Sequence, residues 1–362
     1  MMKKSILLLG AALSISAASF SQGFYLKVQG GYNFNGLQTN ESLLAPRISA
    51  SGTNIYTDAL VTMANINEAD SSYSPVKGSY GKGGNFSLGV GYMINHWFGV
   101  ELGANYLWGS SISSTVVTQS TAGTTVVGLI TGNVKAYSSG LSLSPALVFV
   151  ASKPNWPVEP YAKVGLALPV YGVSKDIVDV DVPKNLVTDD QGNLAALWSK
   201  AYLGTKNHME LSTQGTVSLG VNWSIGVRYT PKNLPFITVY AESNGQWLNV
   251  RAKSTTITKY ETLNPNTGQM VDRLHNSDAS LNRPTYRTEF VYHDALNSNS
   301  NNANYSTNSP NPSQADYLPK NVDPNKPKDD IRPNAPFSNI GIQVGIQLNF
   351  GKEALASIKK KK

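Results

Sequence analysis

The chain has 362 residues, a formal net charge of +7 at pH 7, no cysteine, 31 glycines, 18 tyrosines and only 15% charged residues. The absence of cysteine excludes a disulfide framework, a thiolate nucleophile and a lipid anchor built on a lipobox cysteine, and the composition points to β-structure with long polar loops. Part of the positive charge lies at the N-terminus and four lysines sit at Lys359–Lys362, so the balance does not describe a nucleic-acid surface, and no nucleic-acid partner is expected.

Residues 1–21 read as a secretory signal peptide: a basic start at Met1 to Lys4, an apolar run from Ile6 to Ile15, and small residues from Ser16 to Ser21. The apolar run is too short for a spanning helix, and no other long one follows. Next comes "GFYLKVQGGYNFN", where Phe24, Leu26, Val28, Tyr32 and Phe34 share one face and Lys27, Gln29, Gly31 and Asn33 the other. Such strict period two predicts a strand. The pattern returns in "NFSLGVGYMI", "FGVELGANYLW", "YSSGLSLSPALVF", "EPYAKVGLALPV", "TVSLGVNWSIGVRY", "FITVYAESNGQW" and "NIGIQVGIQLNF", which makes eight strands. The sixth is expected to begin near Val217, and Pro145 and Pro169 within the fourth and fifth predict a bulge or strand end at each, because proline removes a ladder donor.

The connections alternate long and short. Long polar segments span about 36–82, 109–135, 172–214 and 253–336, the last containing the low-complexity run "NSNSNNANYSTNSPNPSQ", for which disorder is expected, while the intervening turns are a few residues long. That asymmetry predicts an all-β fold: an eight-stranded antiparallel up-and-down transmembrane β-barrel with four long extracellular loops, occupying residues 22–350, with both termini periplasmic in the outer membrane of a Gram-negative bacterium. Periodicity alone does not say which face is inside, since a soluble ligand-binding barrel of the lipocalin kind turns its apolar row inward. Two features favour apolar outside. The other rows hold Gly, Ser, Asn and Gln, a poor core but a suitable hydrated interior, and aromatics gather at the strand ends: Phe98, Phe149, Tyr229 and Phe350 at one, Phe34, Tyr106, Trp108, Tyr137 and Trp247 at the other.

The inward register then carries Lys27, Glu101, Lys163, Arg228 and Glu242. Lone charges in a low dielectric are costly, so Glu101 and Glu242 are expected to pair with some of Lys163, Arg228 and Lys27, forming a polar plug. The search for other chemistry ends without a site. His96, His208, His275 and His293 form no metal-binding pattern, and no spacing selects a hydrolase triad. "DIVDVDVP", with Asp176, Asp179 and Asp181, lacks the glycine and length of a calcium loop and fits a polar β-hairpin extension better. Catalytic, cofactor and metal residues are therefore expected to be none.

The signal peptide, the eight alternating strands, "EPYAKVGLALP" and the terminal "VGIQLNF" resemble the eight-stranded outer-membrane barrels of the OmpA/OmpX type, especially those of Bacteroidota, over about Gly23 to Phe350. The resemblance implies an inner network of acidic and basic residues that closes the lumen, and a final aromatic, here Phe350, read by the barrel-insertion machinery. The sequence departs from that family in its basic tail, residues 351–362, expected to be periplasmic, and no peptidoglycan-binding domain is expected after the barrel. The expected function is a non-enzymatic barrel, embedded in outer-membrane lipid, that acts in envelope structure or binds a surface partner through its long loops. The alternatives are an accessory subunit of a larger outer-membrane transport or assembly complex, and a small diffusion channel or hydrophobic-ligand conduit.

Overall fold

The structure, a computed structural model, describes residues 23–36, 44–51, 54–67, 70–122, 125–151, 156–181, 206–264, 266–297, 299–302 and 322–350. The expected signal peptide, the tail at 351–362 and most of the low-complexity run, from residue 303 on, lie outside them. In chain order the strands are β1 (Phe24–Asn35), β2 (Leu44–Ser51), β3 (Asn54–Thr62), β4 (Ala64–Asn67), β5 (Ser72–Pro75), β6 (Gly83–Met93), β7 (Phe98–Gly109), β8 (Ile112–Ala122), β9 (Thr125–Val150) and β10 (Val158–Asp181). There follow β11 (Lys206–Gly215), β12 (Gly220–Tyr229), β13 (Ile237–Trp247), β14 (Asn249–Leu263), β15 (Met270–Asp272), β16 (Glu289–His293), β17 (Lys328–Ile331), β18 (Asn334–Pro336) and β19 (Asn339–Asn349).

Eight of these close on themselves. β1 pairs with β6, β6 with β7, β7 with β9, β9 with β10, β10 with β12, β12 with β13, β13 with β19, and β19 returns to β1, every pair antiparallel. Closure leaves no open edge, which is what a sheet immersed in lipid requires. Short turns close one end. In one of them the Asn95 side chain accepts from the backbone N–H groups of Trp97 and Phe98, at 3.0 and 2.8 Å. The first and last barrel strands meet at the same end, where the N–H of Phe350 donates to the carbonyl of Phe24 at 2.9 Å and their rings lie 5.8 Å apart.

The face question has a direct answer. Ile225 and Val344 on the apolar rows are 63% and 60% exposed, whereas Lys27 and Glu242 on the polar rows are 4% and 3% exposed. The barrel is apolar outside, the arrangement of a membrane barrel and the reverse of a soluble ligand carrier. Aromatic girdles mark both rims: Phe98 against Phe149 at the short-turn end, Tyr106 against Trp108 and Tyr32 against Phe34 at the long-connection end. Inside, a Cβ at Gly91 or Gly345 would collide with the ring of Tyr25 or Tyr240, so glycine there leaves the lumen room for tyrosine.

Beyond the long-connection rim the described residues of the segments anticipated as loops lie largely in strands. β9 and β10 continue as one ladder as far as Thr131 opposite Asp181; β8 joins the far side of β9, β11 joins β10, and β14 joins β11. This extension has a core of its own: Met63, Tyr80, Val134, Ala136, Val178, Val180, Met209, Leu211, Ile257 and Tyr260. Polarity therefore inverts along the molecule. On β9 the same inward row reads Val134 and Ala136 in the extension, then Ser138, Ser142 and Ser144 in the barrel. Water surrounds the extension and lipid the barrel, so the hydrophobic effect selects opposite faces.

β10 achieves the inversion with one residue. Pro169 opposes Ser142 but Tyr171 opposes Leu141, so Val170 is an inserted residue and the inward parity changes. Tyr161 and Ala167 are buried on odd positions of the barrel part; Asp176, Val178 and Val180 are buried on even positions of the extension. The bulge expected at Pro169 is thus present. None occurs at Pro145, which stays opposite Leu102 of β7 without a register shift; the β9–β10 ladder only lacks pairs at Leu166 and Ala167. The sixth barrel strand also starts later than its periodicity suggests, at Gly220 rather than Val217. Its first residues are drawn away from β10, and the N–H of Thr216 donates to the carbonyl of Arg251 at 2.8 Å.

Candidate functional site in the barrel interior

Four inward charges meet at the middle of the lumen from four strands. Lys163 on β10 lies 3.1 Å from Glu101 on β7 and 3.1 Å from Glu242 on β13, while Lys27 on β1 lies 3.3 Å from Glu242 and 3.9 Å from Glu101. Two cations alternate with two anions, and the cluster is neutral as a whole. Buried ions are tolerated when each is paired and its remaining hydrogen-bonding capacity is filled. Tyrosine hydroxyls do much of that filling: Tyr25 donates to Glu101 at 2.9 Å and Tyr161 to Glu242 at 2.5 Å. The Lys27 ammonium also lies 4.0 Å from the ring centre of Tyr240 and 5.3 Å from that of Tyr161, close enough for cation–π attraction.

Arg228 does not join this group. It bonds Glu159, its direct register partner across β10 and β12, at 2.8 Å. Both side chains lie toward the short-turn end, too far along the strands to share the central carboxylates. Glu159, Tyr25, Tyr161 and Tyr240 were not singled out from the sequence as part of the interior network. The signal was available, since each has the parity of the charge beside it on the same strand, but tyrosines in a membrane barrel draw attention to the rims rather than the lumen.

Toward the long-connection end, amides stack over the charges. Gln343 donates to Asn85 at 2.8 Å, Asn85 to Asn33 at 2.7 Å and Asn105 to Ser144 at 2.7 Å; Gln29 bonds Gln343 and receives the Tyr240 hydroxyl at 2.8 Å. A cavity of about 420 Å³ occupies the space between this floor and the extension, whose contribution includes Asp176, Leu248, Val250 and Phe337. On the short-turn side of the charges the space bounded by Tyr25, Tyr161, Arg228 and Tyr240 shrinks to about 10 Å³. That is about one water molecule.

The remaining ionisable groups of interest stand in the extension. His208 lies 2.7 Å from Asp179 and 3.3 Å from Glu210. Burial lowers its pKa, but the hydrogen bonds from Asp179 and Glu210 outweigh that and raise it above the ordinary imidazole value. Asp181 pairs with Lys206, and Asp176 points the opposite way, into the interior, where burial raises its carboxyl to about 7. Strand alternation thus separates the three aspartates of "DIVDVDVP". Among the described residues no three His, Asp or Glu side chains converge on a metal-sized site.

A family model described as outer membrane protein beta-barrel domain matches residues 5–271. Among solved structures the chain is similar to Ail, the attachment invasion locus protein of Yersinia pestis, with 14% identity, a TM-score of 0.20, and 62% of this chain and 87% of that chain covered. It is similar also to that protein in complex with the heparin analogue sucrose octasulfate, with 13% identity, a TM-score of 0.21, and coverage of 62% and 88%. No curated protein matches the chain.

Proposed function

The chain belongs to the outer membrane β-barrel domain family, and from that premise we propose that it is a non-enzymatic, non-conducting barrel that presents a folded β-platform to the outside of the cell for partner binding or envelope structure. One observation carries the reading: a barrel whose lumen is crossed by a neutral cluster of four buried charges supports an extension with its own apolar core. A pore needs a continuous wet path, and this arrangement spends four charged side chains on interrupting one. A platform needs a fixed surface, and strands cross-linked by backbone ladders hold one better than free loops. In this reading the extension is extracellular, both termini are periplasmic, Phe350 serves the insertion machinery, and the partner is a protein or surface component met by the exposed strands of the extension.

The test has two arms. Purified protein in planar bilayers is expected to give no large, steady conductance, and surface cross-linking on intact cells followed by mass spectrometry is expected to recover one dominant partner through residues of β8, β11 or β14. A steady open channel overturns the plug. Cross-links confined to the short-turn end overturn the platform and its orientation.

A further inference from the structure

The barrel wall is not continuous between β10 and its neighbour. β10 pairs with β12 up to Ala167 opposite Gly220, and with β11 from Val173 opposite Gln214 onward. The two ladders share one register, so Leu168–Gly172 and Gly215–Leu219 face each other, yet no pairs join them. At about 3.3 Å per residue the interruption is roughly 16 Å long. Its causes are local: Pro169 has no N–H to donate, Val170 is the bulge residue, and Thr216 bonds Arg251 instead. The ends of the slit are held. The Asn222 amide donates to the carbonyl of Leu166 at 3.0 Å at one end, and at the other Val173 pairs with Gln214. Between them, a Cβ added at Gly172 would meet nothing within 4 Å.

Three further observations concern what lies on each side. Outside, Val217 and Leu219 are the most exposed large apolar side chains of the described residues, at 71% and 69%, and Val170 and Tyr171 flank them. The slit is level with the rim girdle, since Tyr171 and Tyr106 both oppose Leu141. Inside, Pro169, Tyr171, Gly172, Thr216 and Val217 all line the 420 Å³ cavity, so the slit opens into it. The same cavity is lined by Asp176, 2% exposed, whose Oδ1 has no hydrogen-bond partner, and by Ser174, whose Oγ has none.

We propose that this slit is a lateral portal through which a single-chain amphiphile passes from the lipid interface into the cavity, its chain against Leu248, Val250 and Phe337 and its donor-bearing head on Asp176 and Ser174. The volume lies at the low end of small-molecule sites, which run from about 300 to 1,000 Å³, and suits one acyl chain rather than two. The unpartnered carboxyl and hydroxyl oxygens select a head with a hydroxyl, amide or ammonium donor, because a buried acceptor left unmet is costly. The charge cluster forms the floor, so the site is a binding pocket entered and left from the membrane side.

The chain lacks cysteine, which permits a clean test. The full protein in lipid nanodiscs is exposed to a dodecanol bearing a photoreactive diazirine at its chain end, and labelled peptides are mapped. Labelling of Leu248, Val250 or Phe337 is expected. The pair Val170→Cys and Val217→Cys, which face each other across the slit, should cut that interior labelling at least fivefold when oxidised and restore it on reduction; Ala162→Cys with Ile225→Cys, in the paired wall, should change nothing. A bismaleimide bridging the same two cysteines should act like the oxidised pair and serves where the disulfide does not form. Asp176→Leu should lower interior labelling and Asp176→Asn preserve it. Labelling confined to the outward row, or interior labelling indifferent to both the oxidised and the bismaleimide-bridged pair, overturns the portal. Equal labelling in Asp176→Leu overturns the assignment of the head.

Discussion

Lys163 sits between two carboxylates because its strand position turns it inward: its outward neighbours meet lipid, and among the described residues it pairs with Glu101 and Glu242. Glu242→Gln would leave Lys27 and Lys163 sharing Glu101, and breaking a buried pair in this way costs about 3–5 kcal/mol. Urea unfolding in liposomes should show that loss, and a double replacement of Lys27 by Met and Glu242 by Gln should recover part of it, since removing both partners strands no charge. Asp176 behaves in the opposite sense. Its carboxyl is raised to about 7, above its ordinary value, so the folded state binds the proton more tightly than the unfolded chain. Its stability contribution is fully present below pH 4 and is lost as pH rises through 7. Asp176→Asn should therefore stabilise the protein by about 2–4 kcal/mol at pH 8 and by nearly nothing at pH 4, read from unfolding midpoints at the two pH values.

At the scale of the element, β10 is a single strand serving two solvents. The bulge at Val170 resets its parity, and shortening the strand there has definite consequences. Deleting Val170 alone should leave Val178 and Val180 inward, because Pro169 and Tyr171 already oppose the consecutive residues Ser142 and Leu141; deleting Val170 and Gly172 together should turn Val178 and Val180 out of the core of the extension and Lys175 and Asp179 into it, at a loss of about 1.5–3 kcal/mol for each apolar side chain turned out. Limited proteolysis should then cut within the extension while the barrel keeps its closed, surfactant-resistant fold. Simultaneous loss of both would show that the extension is required for the barrel to close. The same bulge, with Pro169 beside it, interrupts pairing toward β12, so register correction and the slit in the wall have one cause.

For the whole molecule, the dominant fact is an apolar outer surface between two aromatic girdles, with no helix of the described residues long and apolar enough to cross a membrane. Crossing by strands pairs the backbone within the closed sheet, interrupted between β10 and β12 only at the level of the rim. Removing surfactant from the purified protein should precipitate it, because the exposed rows of β12 and β19 exceed what a monomeric soluble surface carries. Persistence of a dispersed monomer in light scattering would contradict the membrane reading.

Period-two alternation in eight segments was enough to establish the strands, their number, the two faces of each and the inward direction of Lys27, Glu101, Lys163 and Glu242, because side-chain direction in a strand follows from parity alone. Parity says nothing about height around a closed wall. Only the register between strands brought those four charges to one level and carried Arg228 away to Glu159, and only tertiary contact gave Tyr25, Tyr161 and Tyr240 their partners. The polar segments between strands read as loops because their apolar residues are sparse and scattered; their strands become stable by stacking against one another into a core drawn from residues as distant as Met63 and Tyr260. Local pattern records the solvent each residue faces, whereas long-range pairing decides which residues share that environment.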